Sequence, residues 1–211
     1  SAYDRWLVAQ DVPVHTGYYV EDVRKVERGW WSLRGCPAAV VNLVGHQGVT
    51  EAHVIEVPPG ETIPEFRMAI EEVVYVLEGQ GIATVWGEGK PKVTFEFGKH
   101  ALFRIPANYY YQLSNARGDQ STLTLHMSYL PLAMTTNSNP DFYFNNASYD
   151  ASEMYDEEGG FYSNEAKAIM HNGRMQWHGN FFPDLTLWDN LTSYGGPGRM
   201  AYRGGIVFPN S

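Results

Sequence analysis

Apolar and polar residues alternate in short runs through the middle of the chain. In the run 51–57 (EAHVIEV), His53, Ile55 and Val57 fall on one face of an extended strand, because successive side chains point to opposite faces. The face that carries Ile55 and Val57 is the more apolar one, so it is expected to point inward. His53 is therefore predicted to face the interior of the fold.

Eight such runs follow one another, separated by turns that contain glycine or proline. They cover residues 38–44, 51–57, 72–77, 82–86, 93–97, 101–105, the segment from Tyr109 onward, and 122–129. Many short strands at regular spacing indicate an antiparallel sandwich or barrel. In the last run His126 alternates with leucine and methionine, and the pattern leaves open whether it lines a pocket or lies on a sheet surface.

The segments on either side of this region differ in character. Residues 1–37 are mixed and aromatic and are predicted to form an N-terminal arm that packs on the barrel or on a partner subunit. Residues 131–211 form an acidic and aromatic extension with few β-branched residues, of which 150–160 resemble a solvated linker. The aromatic stretch 180–190 is expected to dock, because so much apolar surface is costly to leave in water.

Two blocks of residues in the central region carry the most specific pattern. The first places Gly60, Phe66, Met68, Glu72 and Gly79 at fixed intervals, and the second places further residues in the same way, namely Pro106, Asn108, Tyr111 and Asn115. Together the blocks resemble the paired motifs of the cupin superfamily. The resemblance implies an all-β cupin jelly-roll barrel, an antiparallel double sheet, over residues 38–130.

The residues at the family's metal positions are mostly not metal ligands. Three of the four positions hold Phe66, Met68 and Tyr111, and only Glu72 is retained. Side chains two apart on a strand share a face, so a phenyl ring and a thioether would point inward where the family has a His-x-His pair. Neither group suits a hard or borderline divalent ion. A degenerate site with no metal of its own is therefore predicted.

Glu72 is the candidate catalytic residue. A carboxylate in an apolar barrel is costly to bury without a partner, so it is interpreted as a general acid or base, or as an anchor for a small organic ligand. The alternative is a structural pairing with Arg67, Arg104, His53 or Tyr111. The candidate pocket-lining residues are Phe66, Met68, Tyr111, His53, Tyr109, Arg104 and His126.

The net charge, the hydropathy and the cysteine content limit the kinds of partner and environment expected for this chain. The formal net charge of −9 argues against nucleic acid, and the chain has no apolar run of about 18 residues that would span a membrane. Cys36 is the single cysteine, which excludes an intrachain disulfide and fits a reducing, cytoplasmic setting.

The end of the chain resembles the start of the barrel. Arg203-Gly204 precedes a short apolar run, as Arg34-Gly35 does earlier. The chain thus resembles the degenerate N-terminal half of a bicupin, with a terminal strand at 205–208 that starts or pairs with a second cupin barrel. The extension is expected to cover a neighbouring barrel, and its deletion after Pro131 is expected to reduce assembly.

Three functions remain open. The first is a structural cupin half that scaffolds a homo-oligomer or a second cupin chain or domain, where a divalent metal (Fe, Mn, Ni or Zn) would lie. The second is a metal-dependent cupin enzyme, a dioxygenase, decarboxylase, isomerase or amidohydrolase acting on a small organic acid, with unusual ligands such as His53, Glu72, Tyr111 and His126. The third is a metal-free barrel that binds a small molecule through Glu72. A filled interior favours the first function, a cavity the third, and a bound ion the second.

Overall fold

A computed structural model describes residues 1–146, 160–188 and 205–209. These residues form short strands, three short α-helices and two 3-10 helices (Val23–Lys25 and Leu185–Trp188). In chain order the elements are α1 (Ala2–Val8), β1 (Val14–Gly17), β2 (Gly29–Trp31), β3 (Cys36–Leu43), β4 (Glu51–Val57), β5 (Glu72–Glu78), β6 (Gln80–Trp86), β7 (Val93–Gly98), β8 (Leu102–Ile105), β9 (Tyr110–Asn115), β10 (Thr122–Ser128), α2 (Leu130–Thr136), α3 (Pro140–Phe144), β11 (Lys167–His171), β12 (Arg174–His178), β13 (Phe181–Phe182) and β14 (Gly205–Val207).

Two sheets face each other around a common core. The first contains the strands in the order β1-β3-β4-β10-β5-β8-β13, and the second has the order β7-β6-β9. Segment 62–66 adds a further strand-like edge to β9, because the backbones of Phe66 and Tyr111 exchange two hydrogen bonds. The chain crosses repeatedly from one sheet to the other, as in a jelly roll. One layer consists of β4, β10, β5 and β8, and the facing layer consists of segment 62–66, β9, β6 and β7. The predicted antiparallel jelly-roll fold is confirmed.

The alternation in the sequence predicts which face of each strand is buried. His53, Ile55 and Val57 of β4 are at most 2% exposed. Ile55 and Val57 belong to the main core, as does Val74 of β5. The opposite face of the first sheet has its own small cluster, in which Val54 packs with residues that include Val26. The prediction that His53 faces the interior is confirmed.

The N-terminal arm packs on its own barrel. Tyr3 and Leu7 of α1 are buried in the main core. Trp31, at the end of β2, joins the same core, whereas Tyr18 and Tyr19 remain mostly exposed. The buried aromatic residues of the arm therefore pack on the barrel of their own chain, which is the first of the two locations predicted for the arm.

Two helices occupy the start of the predicted linker-like extension. Pro131 and Pro140 stand in the first turns of α2 and α3, where proline costs no hydrogen bond. The Asn139 side chain accepts a hydrogen bond from the backbone of Asp141 and caps α3. Their apolar residues, Leu130, Met134 and Tyr143, are buried in the core. This part of the extension is thus a component of the domain.

The aromatic stretch in the extension docks as predicted, but against its own barrel. Phe181 and Phe182 are buried, and β13 pairs with β8. The Phe181 ring lies 4.9 Å from the Phe95 ring between centroids, and Tyr162 stacks on Phe95 at 4.3 Å. These described residues thus cover the open edge of β8 in their own barrel, and the cover of a neighbouring barrel stays a prediction. Residues 189–190 of the stretch and 150–159 of the acidic segment lie outside the described residues.

The terminal strand also pairs within the chain. β14 runs parallel to β12 and completes a three-stranded sheet with β11. β12 thus occupies one edge of this strand, and the pairing of its other edge with a partner sheet stays a prediction. Within the parts of the chain that the structure describes, every helix is too short to cross a bilayer.

Candidate functional site

Two histidines and a glutamate meet inside the barrel. His53 on β4 and His126 on β10 are direct cross-strand partners, and their rings stack with centroids 5.1 Å apart and 14° between planes. Glu72 is the first residue of β5, the other neighbour of β10. Its Oε1 atom lies 3.6 Å from His53 Nε2 and 3.7 Å from His126 Nδ1. The first sheet thus aims two imidazoles and a carboxylate at one point.

Tyr111 reaches the same point from the opposite sheet. Its hydroxyl donates to Glu72 Oε2 at 2.7 Å and lies 3.3 Å from His126 Nδ1. Thr124 Oγ1, on the same strand as His126, lies 2.9 Å from its Nε2 atom. These contacts hold the tyrosine, the carboxylate and the His126 ring in one hydrogen-bonded group.

Arg34 completes the cluster and supplies its positive charge. Its Nη1 atom donates to Glu72 Oε1 at 3.5 Å, and its Nη2 atom donates to the Tyr111 hydroxyl. The guanidinium carbon lies 3.6 Å from the centre of the Phe66 ring, a cation–π contact. Arg34 is only 3% exposed. The cluster therefore contains a full cation that belongs to the chain itself.

A tight turn delivers Arg34 to the interior. The backbone N–H groups of Arg34 and Gly35 both donate to the carbonyl of Trp31. Gly35 has a φ of +62°, and a Cβ atom there would lie 2.7 Å from Pro64 Cγ. Both the backbone conformation and this close approach require glycine.

The charges in the cluster compensate one another. Burial alone would raise the pKa of Glu72, but the Arg34 charge holds this pKa well below its usual range. Burial is the main cause of the lowered pKa values of His53 and His126, and the Arg34 charge lowers them further. Near neutral pH the cluster therefore pairs one carboxylate with one guanidinium, beside two neutral imidazoles.

The donor atoms of His53, Glu72 and His126 lie within 4.8 Å of one another, so this group has the composition of a metal site. The arrangement around Glu72 does not favour a divalent ion. Arg34 already contacts Oε1, and Tyr111 already donates to Oε2. A second cation beside a buried guanidinium would meet strong repulsion, because low-dielectric surroundings screen charge poorly. As arranged, these residues accommodate the guanidinium of Arg34 and not a metal ion.

The residues at the other family metal positions fill space. Phe66 meets the Tyr111 ring edge to face at 6.0 Å, and Met68 is 4% exposed within the core. Tyr109 is buried beneath Gly87, where a Cβ atom would come within 3.0 Å of its ring. Phe66 and Tyr111 thus join the Glu72 cluster, while Met68 and Tyr109 pack in the same core.

Arg104 lies apart from the cluster. It faces Val73 in the β5–β8 register, whereas Glu72 faces Ile105, so Arg104 and Glu72 point to opposite faces of the sheet. Arg104 Nη2 lies 2.6 Å from Glu71, and its Nη1 atom donates to the Pro209 carbonyl. Its partner is therefore the carboxylate that precedes Glu72.

Sequence reasoning did not anticipate Arg34 or Glu51. Glu51 begins β4, accepts hydrogen bonds from Tyr3 at 2.7 Å and Ser128 at 3.0 Å, and is almost completely buried. Burial raises its pKa to about 7 despite these two bonds. The alternation on β4 did contain a signal for Glu51, because it lies two residues before the inward-facing His53.

The paired four-strand faces of the jelly roll, with an inward polar cluster on β4, β5, β9 and β10, give this chain a cupin-like fold. No protein-family model matches the sequence, and no curated protein matches it.

Solved structures of similar fold include two vicilins and one enzyme. The vicilin from Capsicum annuum is 19% identical with a TM-score of 0.40, and the match covers 44% of this chain and 27% of that chain. The vicilin from Solanum lycopersicum is 13% identical with a TM-score of 0.43, covering 51% and 32%. A variant of Bacillus subtilis oxalate decarboxylase is 14% identical with a TM-score of 0.34, covering 37% and 20%. The match therefore spans a third or less of each of these proteins.

Proposed function

We propose that this chain is a metal-free cupin barrel with a structural role, which completes a bicupin-type assembly with a second cupin domain or chain. The observation that carries the proposal is the Arg34 guanidinium on Glu72 and Tyr111. A cation that is part of the polypeptide neutralises the carboxylate, so the interior needs no ion to balance its charge.

The low solvent exposure of the cluster also supports a structural role for this barrel. Glu72 is 1% exposed, His53 2% and His126 0%. A substrate would have to displace the packed Phe66 ring or the guanidinium to reach these groups. General acid–base chemistry at Glu72 is also disfavoured, since a carboxyl with a strongly depressed pKa is a weak base.

The partner in this proposal follows from the motif spacing, which resembles that of a degenerate bicupin half. The catalytic barrel would then lie in a second domain or chain and would hold any divalent metal, whether Fe, Mn, Ni or Zn. A homo-oligomer of this chain would be the simplest assembly of the same kind. In either arrangement this barrel would pack against another barrel and stabilise the assembly.

Native mass spectrometry of the purified protein tests the proposal. The expected spectrum shows a defined oligomer or a complex with a second cupin chain, with no metal mass on this chain. The same sample is titrated with Zn²⁺ and Mn²⁺. Stoichiometric metal that survives buffer exchange and is lost in a His126→Ala variant would overturn the metal-free assignment. A monomer at all concentrations would overturn the assembly.

A metal-dependent cupin enzyme is the second candidate. It is favoured by the His53, Glu72 and His126 group, in which both ring nitrogens of His53 lack a hydrogen-bond partner. Buried nitrogens without partners are costly and suit a ligand role. This candidate requires the Arg34 side chain to leave Glu72, so metal binding would increase in an Arg34→Ala variant. Metal uptake by the wild-type chain to the same extent as by this variant would favour the enzyme.

A further inference from the structure

A cavity of about 440 Å³ lies on the outside of the first sheet, on the face opposite the Glu72 cluster. Its floor is a row of cross-strand neighbours on β3, β4, β10 and β5, namely Val41, Ala52, Met127 and Val73. The floor dips at Ala52, because its methyl group lies between the longer side chains of Val41 and Met127. The four strands are hydrogen-bonded to one another, so the floor is formed before a ligand binds.

Other parts of the chain border this cavity on three sides. The N-terminal segment 20–26 covers the far end of the same sheet face, where its valines pack in a separate apolar cluster. The turn between β3 and β4 borders the near end through His46 and Thr50, and Glu71 borders the β5 side. The open part of the face is thus a bounded hollow. Such a hollow suits a small molecule better than the extended contact that a protein partner makes.

The lining presents no unpaired carboxylate to a ligand. Glu71 lies 2.6 Å from Arg104, which neutralises it. The Glu51 side chain points to the interior face of the sheet, where Tyr3 and Ser128 donate hydrogen bonds to it, so its charge does not face the cavity. The lining also contains neither lysine nor arginine. A charged head group would therefore lose water of hydration without gaining an ionic partner, which favours an uncharged ligand.

Two polar side chains on the rim are available to such a ligand. His46 and Thr50 belong to one turn, in which the Thr50 N–H donates to the His46 carbonyl at 3.3 Å. Within the part of the chain that the structure describes, neither the imidazole nor the hydroxyl has a hydrogen-bond partner. A hydroxyl both donates and accepts, and a neutral imidazole does so through its two nitrogens. The rim can therefore hold a ligand's hydroxyl or carbonyl group.

We propose that this cavity binds a small uncharged organic molecule, with an apolar body on the Ala52 floor and a hydroxyl or carbonyl group directed toward His46 and Thr50. Burial of the apolar body supplies most of the affinity, and the polar group fixes the orientation of the ligand. The site is separate from the interior cluster, so it does not depend on the function proposed for the barrel.

Methyl NMR of the protein labelled with ¹³C-methyl methionine tests the proposal. The three probes, 4-phenylbutan-1-ol, 4-phenylbutylamine and 4-phenylbutyrate, share one apolar body and differ only in the head group. The alcohol is expected to shift the Met127 signal saturably and to leave those of Met68 and Met134, which are buried in the main core, in place. The amine and the carboxylate are expected to bind at least about tenfold more weakly. Equal affinity for all three probes would overturn the uncharged class.

Four variants locate the site. Met127→Leu removes one signal and so assigns it. Ala52→Phe fills the cavity and is expected to abolish binding of the alcohol, with Val73→Phe in its place if that variant does not fold. Thr50→Val is expected to weaken binding of the alcohol roughly three- to tenfold, since it removes one hydrogen bond. Thr84→Phe, on the outer face of the second sheet, is the control and should leave binding unchanged. Thermal unfolding checks that each variant folds.

Three outcomes contradict the proposal. The absence of a saturable Met127 shift at millimolar alcohol would show that the cavity does not bind this class of molecule. Binding that survives the filling variant would place the ligand elsewhere. A Met127 shift that follows protein concentration without any probe, and that Ala52→Phe removes, would show that a second copy of the chain occupies the cavity. None of these outcomes affects the metal-free assignment, because that assignment is tested by the metal content of the chain.

Discussion

Arg34 and Glu72 form a buried ion pair whose members depend on each other. The Arg34 side chain is 1% exposed and that of Glu72 is 2% exposed. Removal of one partner leaves the other charge buried and uncompensated, which costs roughly 3–5 kcal/mol. We therefore expect Arg34→Met to lower the free energy of unfolding by roughly this amount in urea denaturation.

A second variant separates charge from packing in that experiment. Arg34→Met combined with Glu72→Gln removes both charges and is expected to recover much of the loss, since a neutral pair is less costly to bury. Arg117→Ala, which breaks an exposed pair with Asp119, serves as the control and should change stability by less than about 1 kcal/mol. A loss of less than about 1 kcal/mol in the Arg34→Met single variant would show that the pair does not hold the cluster together.

Glu51 gives the chain a pH-dependent stability. Its folded pKa is raised to about 7 from an ordinary value near 4.5, so the folded state binds the extra proton between these values. Stability is fully present below the unfolded pKa and falls as pH rises through about 7. Glu51→Gln, which cannot ionise, should gain stability over the wild type between pH 5 and pH 8 by roughly 2–3 kcal/mol, measured by urea unfolding at each pH.

A carboxylate with the opposite shift provides the comparison. The pKa of Glu78 is lowered, chiefly by a hydrogen bond from Lys99, so its contribution is lost only at acid pH. The stability of Glu78→Gln should therefore run parallel to that of the wild type between pH 5 and pH 8. If the stability of Glu51→Gln also runs parallel to that of the wild type over this pH range, Glu51 is not the source of the pH dependence.

At the scale of elements, β13 connects the C-terminal extension to the barrel. Phe181 is 6% exposed and packs against Phe95 and Phe103. Phe181→Ala is expected to lower the free energy of unfolding by about 3 kcal/mol, because it removes a buried ring and leaves a cavity. Chemical denaturation measures the loss.

Leu187 provides the control for this change. It follows β13 in the sequence but is 69% exposed, so Leu187→Ala should alter stability by less than about 0.5 kcal/mol. Similar losses in both variants would mean that the extension contributes generally and that docking of β13 is not the cause.

The strands were largely predictable because a repeat of two residues marks a half-buried strand and Gly or Pro marks its ends. The run 51–57 coincides with β4, and 72–77 differs from β5 by one residue. The helices α2 and α3 escaped prediction, since five to seven residues are too few to show a 3.6-residue repeat.

The candidate site was predictable to a smaller extent. The motif spacing brought Phe66, Glu72 and Tyr111 together, and alternation placed His53. Arg34 could not be inferred, because it enters from a turn 38 residues before Glu72 and only the fold brings the two together. The alternation on β8 could have shown that Arg104 points away from the interior, since its neighbours Phe103 and Ile105 both face inward.

For the whole molecule, the segment after residue 129 divides into a part needed for folding and a part that adds stability. Leu130, Met134 and Tyr143 belong to the main core. A chain that ends at residue 129 should lose its cooperative thermal transition. A chain that ends at residue 146 keeps these residues and should fold with reduced stability, since Phe95 and Phe103 lose their cover. Circular dichroism melts of both fragments check this, and equal cooperative melts would contradict it.

The cation inside this barrel is encoded in the chain. Arg34 is placed by the turn that ends at Gly35, so it reaches Glu72 as the polypeptide folds, at a ratio of one per barrel. A bound ion has to be supplied by the surroundings, competes with other ions and is removed by chelators. If the barrel is metal-free as proposed, its charge balance depends on none of these, and folding should proceed equally well in media rich or poor in metal.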